Sequence, residues 1–266
     1  MKKIFVLAAC AFVLASCAFT FGNGVNVIGY SEEGGDFTEE RSVGIFDEFK
    51  AEGPFNTYFV QSDTYKVVID GKEEFVQKVI TELKDNDLTI KLEKGTYKDL
   101  ILKVTVYAPD IEEACTAGSG NLIDKEGHVS TKDIDYRTAG SGDLILANIQ
   151  VKDLDVATAG SGNIYIDGAT CEDLELRSSG SGDSTLKDVK VKGDFEYSSA
   201  GSGDLKTENL IVNGDVNAKT SGSGDLNLNG KCHDLNVKSS GSGDIRGNFE
   251  YNKLSSSISG SGKINL

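Results

Sequence analysis

The chain has 266 residues, of which 38% are hydrophobic and 26% are charged, and it contains only two prolines. This composition supplies enough apolar side chains for a core and is not typical of a disordered protein. The formal net charge of −15 at pH 7 excludes nucleic acids and anionic lipid head groups as expected partners, because both would repel an acidic surface.

The start of the chain has the pattern of a bacterial secretion signal. Lys2 and Lys3 precede an apolar stretch over residues 4–14, and small residues then lead to Cys17. The sequence Leu-Ala-Ser-Cys over residues 14–17 resembles the lipobox of bacterial lipoproteins. We therefore predict a lipoprotein signal peptide over residues 1–16 and lipidation at Cys17, with an ordinary cleaved signal and an incidental cysteine as the alternative. No later apolar run approaches the ~20 residues of a spanning helix, so the lipid is the only membrane contact that we expect.

Residues 17–110 precede the repeats and divide into two parts. Residues 17–41 are rich in glycine and acidic residues, which predicts a tether. The following part, residues 42–110, is predicted to form an N-terminal β cap and the first coils, because a stacked fold needs an atypical unit over its end. Its expected strands cover residues 55–60, 65–69, 88–92 and 100–107. Residues 73–83 have apolar side chains at helical spacing and predict a short helix, with another strand as the alternative.

The rest of the chain, residues 111–266, is organised by a repeated tripeptide. Gly-Ser-Gly occurs eight times, at spacings between 19 and 22 residues. A fixed period near twenty is the mark of a solenoid, in which each unit buries its apolar side against its neighbours. The motifs begin at Gly118, Gly140, Gly160, Gly180, Gly201, Gly222, Gly241 and Gly260.

Within each repeat, apolar residues alternate with polar ones, which indicates β-strands. We count three short strands per repeat, each expected to stack on its equivalent in the next coil. The prediction is an all-β fold, a parallel β-helix with coils of about 20 residues. Glycines at alternate positions predict a corner where backbone packs against backbone and no Cβ fits.

In seven of the eight repeats, the residue after Gly-Ser-Gly is Asp or Asn. Carboxylates stacked ~4.8 Å apart repel one another, so such a column invites a cation. One hypothesis is weak calcium binding through carboxylate and carbonyl oxygens. The alternative is that these side chains form solvated Asx turns and bond their own backbone. The candidate calcium ligands are Asp143, Asp183, Asp204, Asp225 and Asp244.

The chemistry of the remaining residues favours a protein without catalytic activity. The chain has two histidines, His128 and His233, in different coils, and it has no tryptophan. Its acids follow regular columns, whereas glycoside cleavage uses one positioned pair of carboxylates. Cys115, Cys171 and Cys232 are expected to be unpaired, because the two that share a column are three coils apart. No cofactor other than calcium is expected.

Residues 46–107, ending in Val-Tyr-Ala-Pro and followed by repeated Gly-Ser-Gly-Asp/Asn, resemble the auto-transporter adhesin head domain, also called the head GIN domain. The resemblance covers residues 42–266. It implies a β-helix related in shape to pectin lyases, no known catalytic residues and a role in cell adhesion. The sequence departs from the family name, because no translocator barrel or coiled-coil stalk is expected from this chain.

These observations predict a non-catalytic lipoprotein of the outer membrane of a Gram-negative bacterium. Its expected role is adhesion or binding to a surface glycan or protein, with display on the cell surface or on the periplasmic face left open. The alternative is a structural protein that faces the periplasm, and a polysaccharide-active enzyme is less favoured. Self-association end to end is a further hypothesis, because strand edges at the end of a solenoid attract other strands.

Overall fold

A computed structural model describes residues 24–266. The predicted signal peptide and Cys17 lie outside the described residues. The described part is almost entirely β, with 2% helix, and its parallel coils form a solenoid of about 7 turns. The predicted fold class is therefore confirmed. Among the described residues, no helix is long and apolar enough to cross a membrane.

The cap and the first coils contain eight strands and one short helix. Their bounds are β1 Val25–Ser31, β2 Phe37–Ser42, β3 Glu48–Glu52, β4 Asn56–Gln61, β5 Lys66–Gly71, α1 Glu73–Val76, β6 Val79–Lys84, β7 Asp87–Leu92 and β8 Gly95–Ala108.

The repeats continue with eighteen further strands. Their bounds are β9 Glu113–Gly118, β10 Leu122–Asp124, β11 His128–Val129, β12 Ile134–Gly140, β13 Leu144–Gln150, β14 Asp153–Gly160, β15 Ile164–Cys171, β16 Asp173–Gly180, β17 Ser184–Val191, β18 Phe195–Gly201, β19 Leu205–Glu208, β20 Leu210–Val212, β21 Val216–Gly222, β22 Leu226–Lys231, β23 Asp234–Ser239, β24 Ile245–Glu250, β25 Lys253–Ile258 and β26 Ile264–Asn265.

These strands build two long sheets that face each other across the core. One sheet has 15 strands and the other has 11, and every pairing between repeat strands is parallel. The register is set by the repeat, since Gly140 pairs with Gly160 and Gly160 with Gly180. Residues about twenty apart therefore lie directly over one another.

The core is filled by the inward columns of the two sheets. Tyr136 and Tyr197 point inward and are buried. Ser184 interrupts a column of leucines and isoleucines and is also buried. Tyr197 is a large inward residue of the next coil, and its hydroxyl faces Ser184 and Ser199. A small residue beside a large one keeps the volume of the core filled, which is what close packing requires.

Each coil has three runs, but the third run does not form a separate sheet. It continues the second run across one residue with a left-handed backbone, such as Asn148 (φ 56°), Gly168 (φ 81°) or Asp188 (φ 52°). Asn, Asp and Gly are the residues that adopt this conformation at low cost. The chain therefore bends there while the hydrogen-bonded ladder continues. We call this bend the left-handed corner.

The cap differs from the prediction at residues 73–83. The helix ends after one turn, and residues 79–84 form β6, which pairs with β7 through a turn at Asp85 and Asn86 with positive φ. The guanidinium of Arg41 donates to the carbonyls of Val76 and Val79, at 3.2 and 2.6 Å. Tertiary pairing thus overrides the helical spacing, and the alternative of a strand is correct for this part.

The tether predicted over residues 17–41 is wrong for its described part. β1 pairs in parallel with the first half of β8, and β2 pairs antiparallel with β5. The backbone of β8 is 14 residues long and offers β1 a free edge. Backbone hydrogen bonds hold β1 and β2, although none of their residues is fully buried.

The cysteines agree only in part with the expectation of three unpaired thiols. Cys171 and Cys232 are free. Cys115 Sγ lies 2.9 Å from Oε1 of Glu113, and for this residue the expectation stays a prediction.

Candidate functional site

The Gly-Ser-Gly motifs form one corner of the solenoid, where adjacent coils approach each other most closely. A Cβ on Gly140 or Gly160 would lie 2.0 or 1.9 Å from the carbonyl oxygen of the motif below. The second glycines are as crowded, with 1.9 Å at both Gly142 and Gly162. No side chain fits at these distances, which confirms the predicted corner.

The serines between these glycines form an exposed line along the same corner. The backbone N–H groups of Ser141, Ser161 and Ser181 donate to the glycine carbonyl one coil below, at 2.9 to 3.0 Å. Their side chains are exposed. The backbone of the motif therefore forms hydrogen bonds with the adjacent coil, and only the serine hydroxyl groups face solvent.

The Asp/Asn column after the motif forms a second ladder. Each side-chain Oδ1 accepts the backbone N–H of the column residue in the next coil, at 2.7 to 2.9 Å along the whole column. The expectation that these groups bond their own backbone is wrong, because the amide of the next coil lies within reach. The column is a structural device that links one coil to the next.

The candidate calcium residues all lie in this ladder. These residues follow one edge of the solenoid in successive coils, with Asn163 between Asp143 and Asp183, and they do not converge on a point. Asp225 also forms an ion pair with Arg246, at 3.1 Å. Each carboxylate already accepts an amide, so calcium would share ligands with the ladder. Weak calcium binding stays a prediction.

A second Asp column forms a similar ladder at the start of the other sheet. The amides of Asp194 and Asp215 donate to the preceding aspartate at 2.7 Å, and those of Asp173 and Asp234 donate at 3.3 and 3.2 Å. Two stacked columns of aspartates thus link each coil to the next.

The densest group of titratable side chains lies in the first coil, in the core. His128 contacts Asp110 through Nε2 at 3.0 Å and the hydroxyl of Tyr136 through Nδ1 at 3.0 Å. The same hydroxyl lies 2.6 Å from Asp124 Oδ2. Ser130 donates to the other oxygen of Asp110 at 2.9 Å. We call Asp110, Asp124, His128, Ser130 and Tyr136 the buried polar network.

Burial sets the protonation of this network. Desolvation raises the pKa of Asp124 to about 7 and raises that of Tyr136, whereas it lowers the pKa of His128. The Tyr136 hydroxyl donates to Asp124 Oδ2, and the tautomer of His128 sets which of its ring nitrogens donates to Tyr136 or Asp110.

The network contains the residue types of an acid–base relay, but a substrate cannot reach Asp124, His128 or Tyr136. Asp124, His128 and Tyr136 have no exposed surface. A catalytic group must reach its substrate within hydrogen-bond distance, directly or through one water. Sequence analysis missed this network. A signal was present, because Asp124 and His128 occupy columns in which the next coil has the apolar residues Leu146 and Ile149.

The left-handed corner carries a shallow groove on the outside of the solenoid. Its volume is about 170 Å³. Gly168 lies between Asn148 and Asp188 in successive coils. Because it has no side chain, it leaves a gap in the column there. The lining supplies amide, hydroxyl, carboxylate and ammonium groups. The polar lining residues are Asn148, Gln150, Thr170, Asp188 and Lys190.

The chain matches the model of a known protein family over most of its length. Residues 45–207 and 174–266 match the family model described as putative auto-transporter adhesin, head GIN domain. The chain belongs to this family. The resemblance derived from the sequence is therefore confirmed, and the match includes both the cap and the repeats. Among curated proteins, no relative matches the chain.

Solved structures share the fold of this head GIN domain protein. A putative adhesin from Parabacteroides distasonis is 21% identical, with a TM-score of 0.78 over 91% of this chain and 99% of its own. A putative adhesin from Parabacteroides merdae has 20% identity and a TM-score of 0.76, covering 90% and 100%. A putative lipid binding protein from P. distasonis has 23% identity and a TM-score of 0.75, covering 90% and 99%. At these identities the likeness concerns the fold.

Proposed function

We propose that this protein is a non-catalytic binding module, held on the outer membrane by a lipid at Cys17, and that it binds a polar ligand such as a surface glycan in the groove of the left-handed corner. The observation that carries the proposal is the contrast between the two polar sites. Asp124, His128 and Tyr136 of the buried polar network are fully buried, and the network reaches the surface only through Asp110 and Ser130. The open groove, by contrast, offers hydrogen-bonding groups without a catalytic arrangement.

The groove suits a ligand that is rich in hydroxyl groups. Asn148 and Gln150 supply amides that both donate and accept, and Lys190 and Asp188 add one donor and one acceptor of opposite charge. Tyr165, whose side chain is 42% exposed, lies on the same strand as Gly168. An exposed aromatic ring on the same strand as the groove can pack against the apolar face of a sugar. The family and two of the three solved relatives are described as adhesins, which supports the same class of function.

A binding measurement with groove variants tests the ligand site. We expect a glycan array probed with the purified protein to give signals that fall at least tenfold in the variant Asn148→Ala/Lys190→Ala, because both hydrogen-bonding groups are lost. Lys231→Ala is the matched control, since Lys231 is exposed in the same column two coils further on. Equal loss in the control, or no glycan bound at all, would refute the groove as the site.

A second experiment separates surface display from the periplasmic structural alternative. We expect radiolabelled palmitate to be incorporated into the wild type and not into Cys17→Ser, because acylation requires the thiol. Protease treatment of intact cells should then remove the wild-type protein from the membrane fraction. Protection of a labelled protein would favour the periplasmic role, and absence of label would overturn the lipid anchor without affecting the binding assay.

A further inference from the structure

One exposed group of unlike ligand side chains lies apart from the groove and the buried polar network. Among residues 24–266, Asp215, His233 and Asp234 are the set that brings three side-chain ligand atoms within 4.8 Å of one another. His233 Nδ1 lies 3.3 Å from Asp215 Oδ1 and 3.4 Å from Asp234 Oδ1. Neither the family nor the proposed binding function assigns a role to these residues.

The solenoid holds the three residues in place before any ligand binds. The amide of His233 donates to the carbonyl of Gly214 at 2.8 Å, and its own carbonyl accepts the amide of Asn252 at 2.8 Å. Asp215 Oδ1 accepts the amide of Asp234 at 3.2 Å. Two adjacent coils in fixed register therefore set the positions of the ligand atoms. A site built on rigid strands loses little freedom when it binds.

The spacing of these atoms matches a metal's coordination shell. Bonds of 2.0–2.1 Å to a tetrahedral Zn²⁺ place neighbouring ligand atoms about 3.3–3.4 Å apart. This is the separation of His233 Nδ1 from each of the two carboxylate oxygens. The His233 side chain is 61% exposed, so a metal can enter from solvent and a water can occupy the remaining position.

We propose that Asp215, His233 and Asp234 bind one divalent metal ion of the zinc class, with water as the fourth ligand. Two carboxylates balance the charge of the ion, and the imidazole selects a borderline metal over calcium, which prefers oxygen ligands. Cys232 adjoins the site in sequence, but it is not among the three residues whose ligand atoms converge.

The repeat makes this site unique in the ladder. The residue before the column aspartate is Lys132, Lys152, Glu172, Gly193 or Gly214 in the other coils, and none of these offers an imidazole. The aspartate ladder itself recurs without the histidine. The chain therefore contains its own control positions, in which the same carboxylates stack without a nitrogen ligand.

Calorimetric titration with Zn²⁺ tests the proposal, on purified protein from which any affinity tag has been removed. We expect one ion per chain, with the affinity lowered at least tenfold in His233→Ala and in Asp234→Asn, because each variant removes a ligand. Asp173→Asn removes a carboxylate from the same ladder two coils before Asp215 and should bind as the wild type does. The melting temperature should rise with Zn²⁺ only in proteins that retain the three ligands.

Three results would overturn the site. Undiminished binding in His233→Ala would show that the imidazole is not a ligand. An equal loss in Asp173→Asn would show that the ion is held by the acidic surface in general. Absence of binding in the wild type would leave His233 as a hydrogen-bonding partner of two aspartates. Glycan binding is measured separately, so failure here does not bear on the groove.

Discussion

We expect Gly162→Ala to lose at least about 4 kcal/mol of unfolding free energy, because the new methyl group would overlap the backbone of the coil below. The added Cβ would lie 1.9 Å from the carbonyl oxygen of Gly142 and 2.8 Å from its carbon. The coils cannot separate locally, since Leu144 and Ile164 pair in register two residues later. Relief would require breaking the stack, which removes ladder hydrogen bonds and opens the core.

Gly168→Asn in the same coil is the matched control. Gly168 has φ 81°, and a Cβ there would meet its nearest atom, Asn148 Oδ1, at 3.5 Å. Asn148 and Asn209 adopt the same conformation in this column, so asparagine is compatible with the backbone. We expect a change within about 1 kcal/mol. Urea unfolding followed by circular dichroism measures both variants, and wild-type stability of Gly162→Ala would refute the close approach of the coils.

The second large effect concerns pH and the buried polar network. The folded pKa of Asp124 is about 7, against an ordinary value of 3.8. In the unfolded chain the carboxyl loses its proton above about pH 4, whereas the folded protein keeps it to about pH 7. The stability that Asp124 contributes in its neutral form is therefore complete below pH 4 and is lost as the pH rises through 7. The loss is on the order of 4 kcal/mol.

His128 works in the opposite direction. Burial lowers the pKa of His128. Below pH ~6.5, His128 therefore binds a proton in the unfolded chain but stays neutral in the folded protein. Stability from this group falls as the pH falls. The two slopes partly cancel in the wild type between pH 4 and 7. A variant that removes only the carboxyl is needed to separate them.

Asp124→Asn makes this separation. Its amide oxygen can accept the Tyr136 hydroxyl as the carboxyl oxygen does, but the amide does not ionise. We expect the difference in unfolding free energy between variant and wild type to shift in favour of the variant from pH 5 to pH 8. Asp143→Asn removes the same formal charge from a half-exposed position where neighbouring coils carry Asn, and serves as the control. Parallel pH profiles of Asp124→Asn and wild type would contradict the raised pKa.

The repeat sequence predicted most of the solenoid. Eight motifs at a nearly constant spacing leave one way to stack the coils, because a shift of register would place the column of Leu144 and Ile164 against polar residues. The glycine corner was also predictable, since two glycines recur at alternate positions and no other residue tolerates a backbone contact of this kind. Periodicity carries this information, and it is present in the chain itself.

The candidate sites were predicted less well. The sequence identified the column of aspartates but not the direction of its hydrogen bonds, which depends on the distance to the next coil. Asp110 is 18 residues from His128, and their contact at 3.0 Å exists only because the chain returns through one coil. The same holds for Asp215 and His233, which also come from successive coils. Spacing along the chain does not reveal which atoms converge.

What the sequence determined by itself is the periodic part: parallel strands, a coil of about twenty residues, the glycine corner and membership of an adhesin-like family. The tertiary structure alone decided the non-periodic part, namely the pairing of β1 and β2 with the cap, the change from helix to β6 and the buried position of His128. The physical reason is that a repeated pattern constrains each coil through its neighbours, whereas a feature that occurs once is fixed by contacts between distant segments.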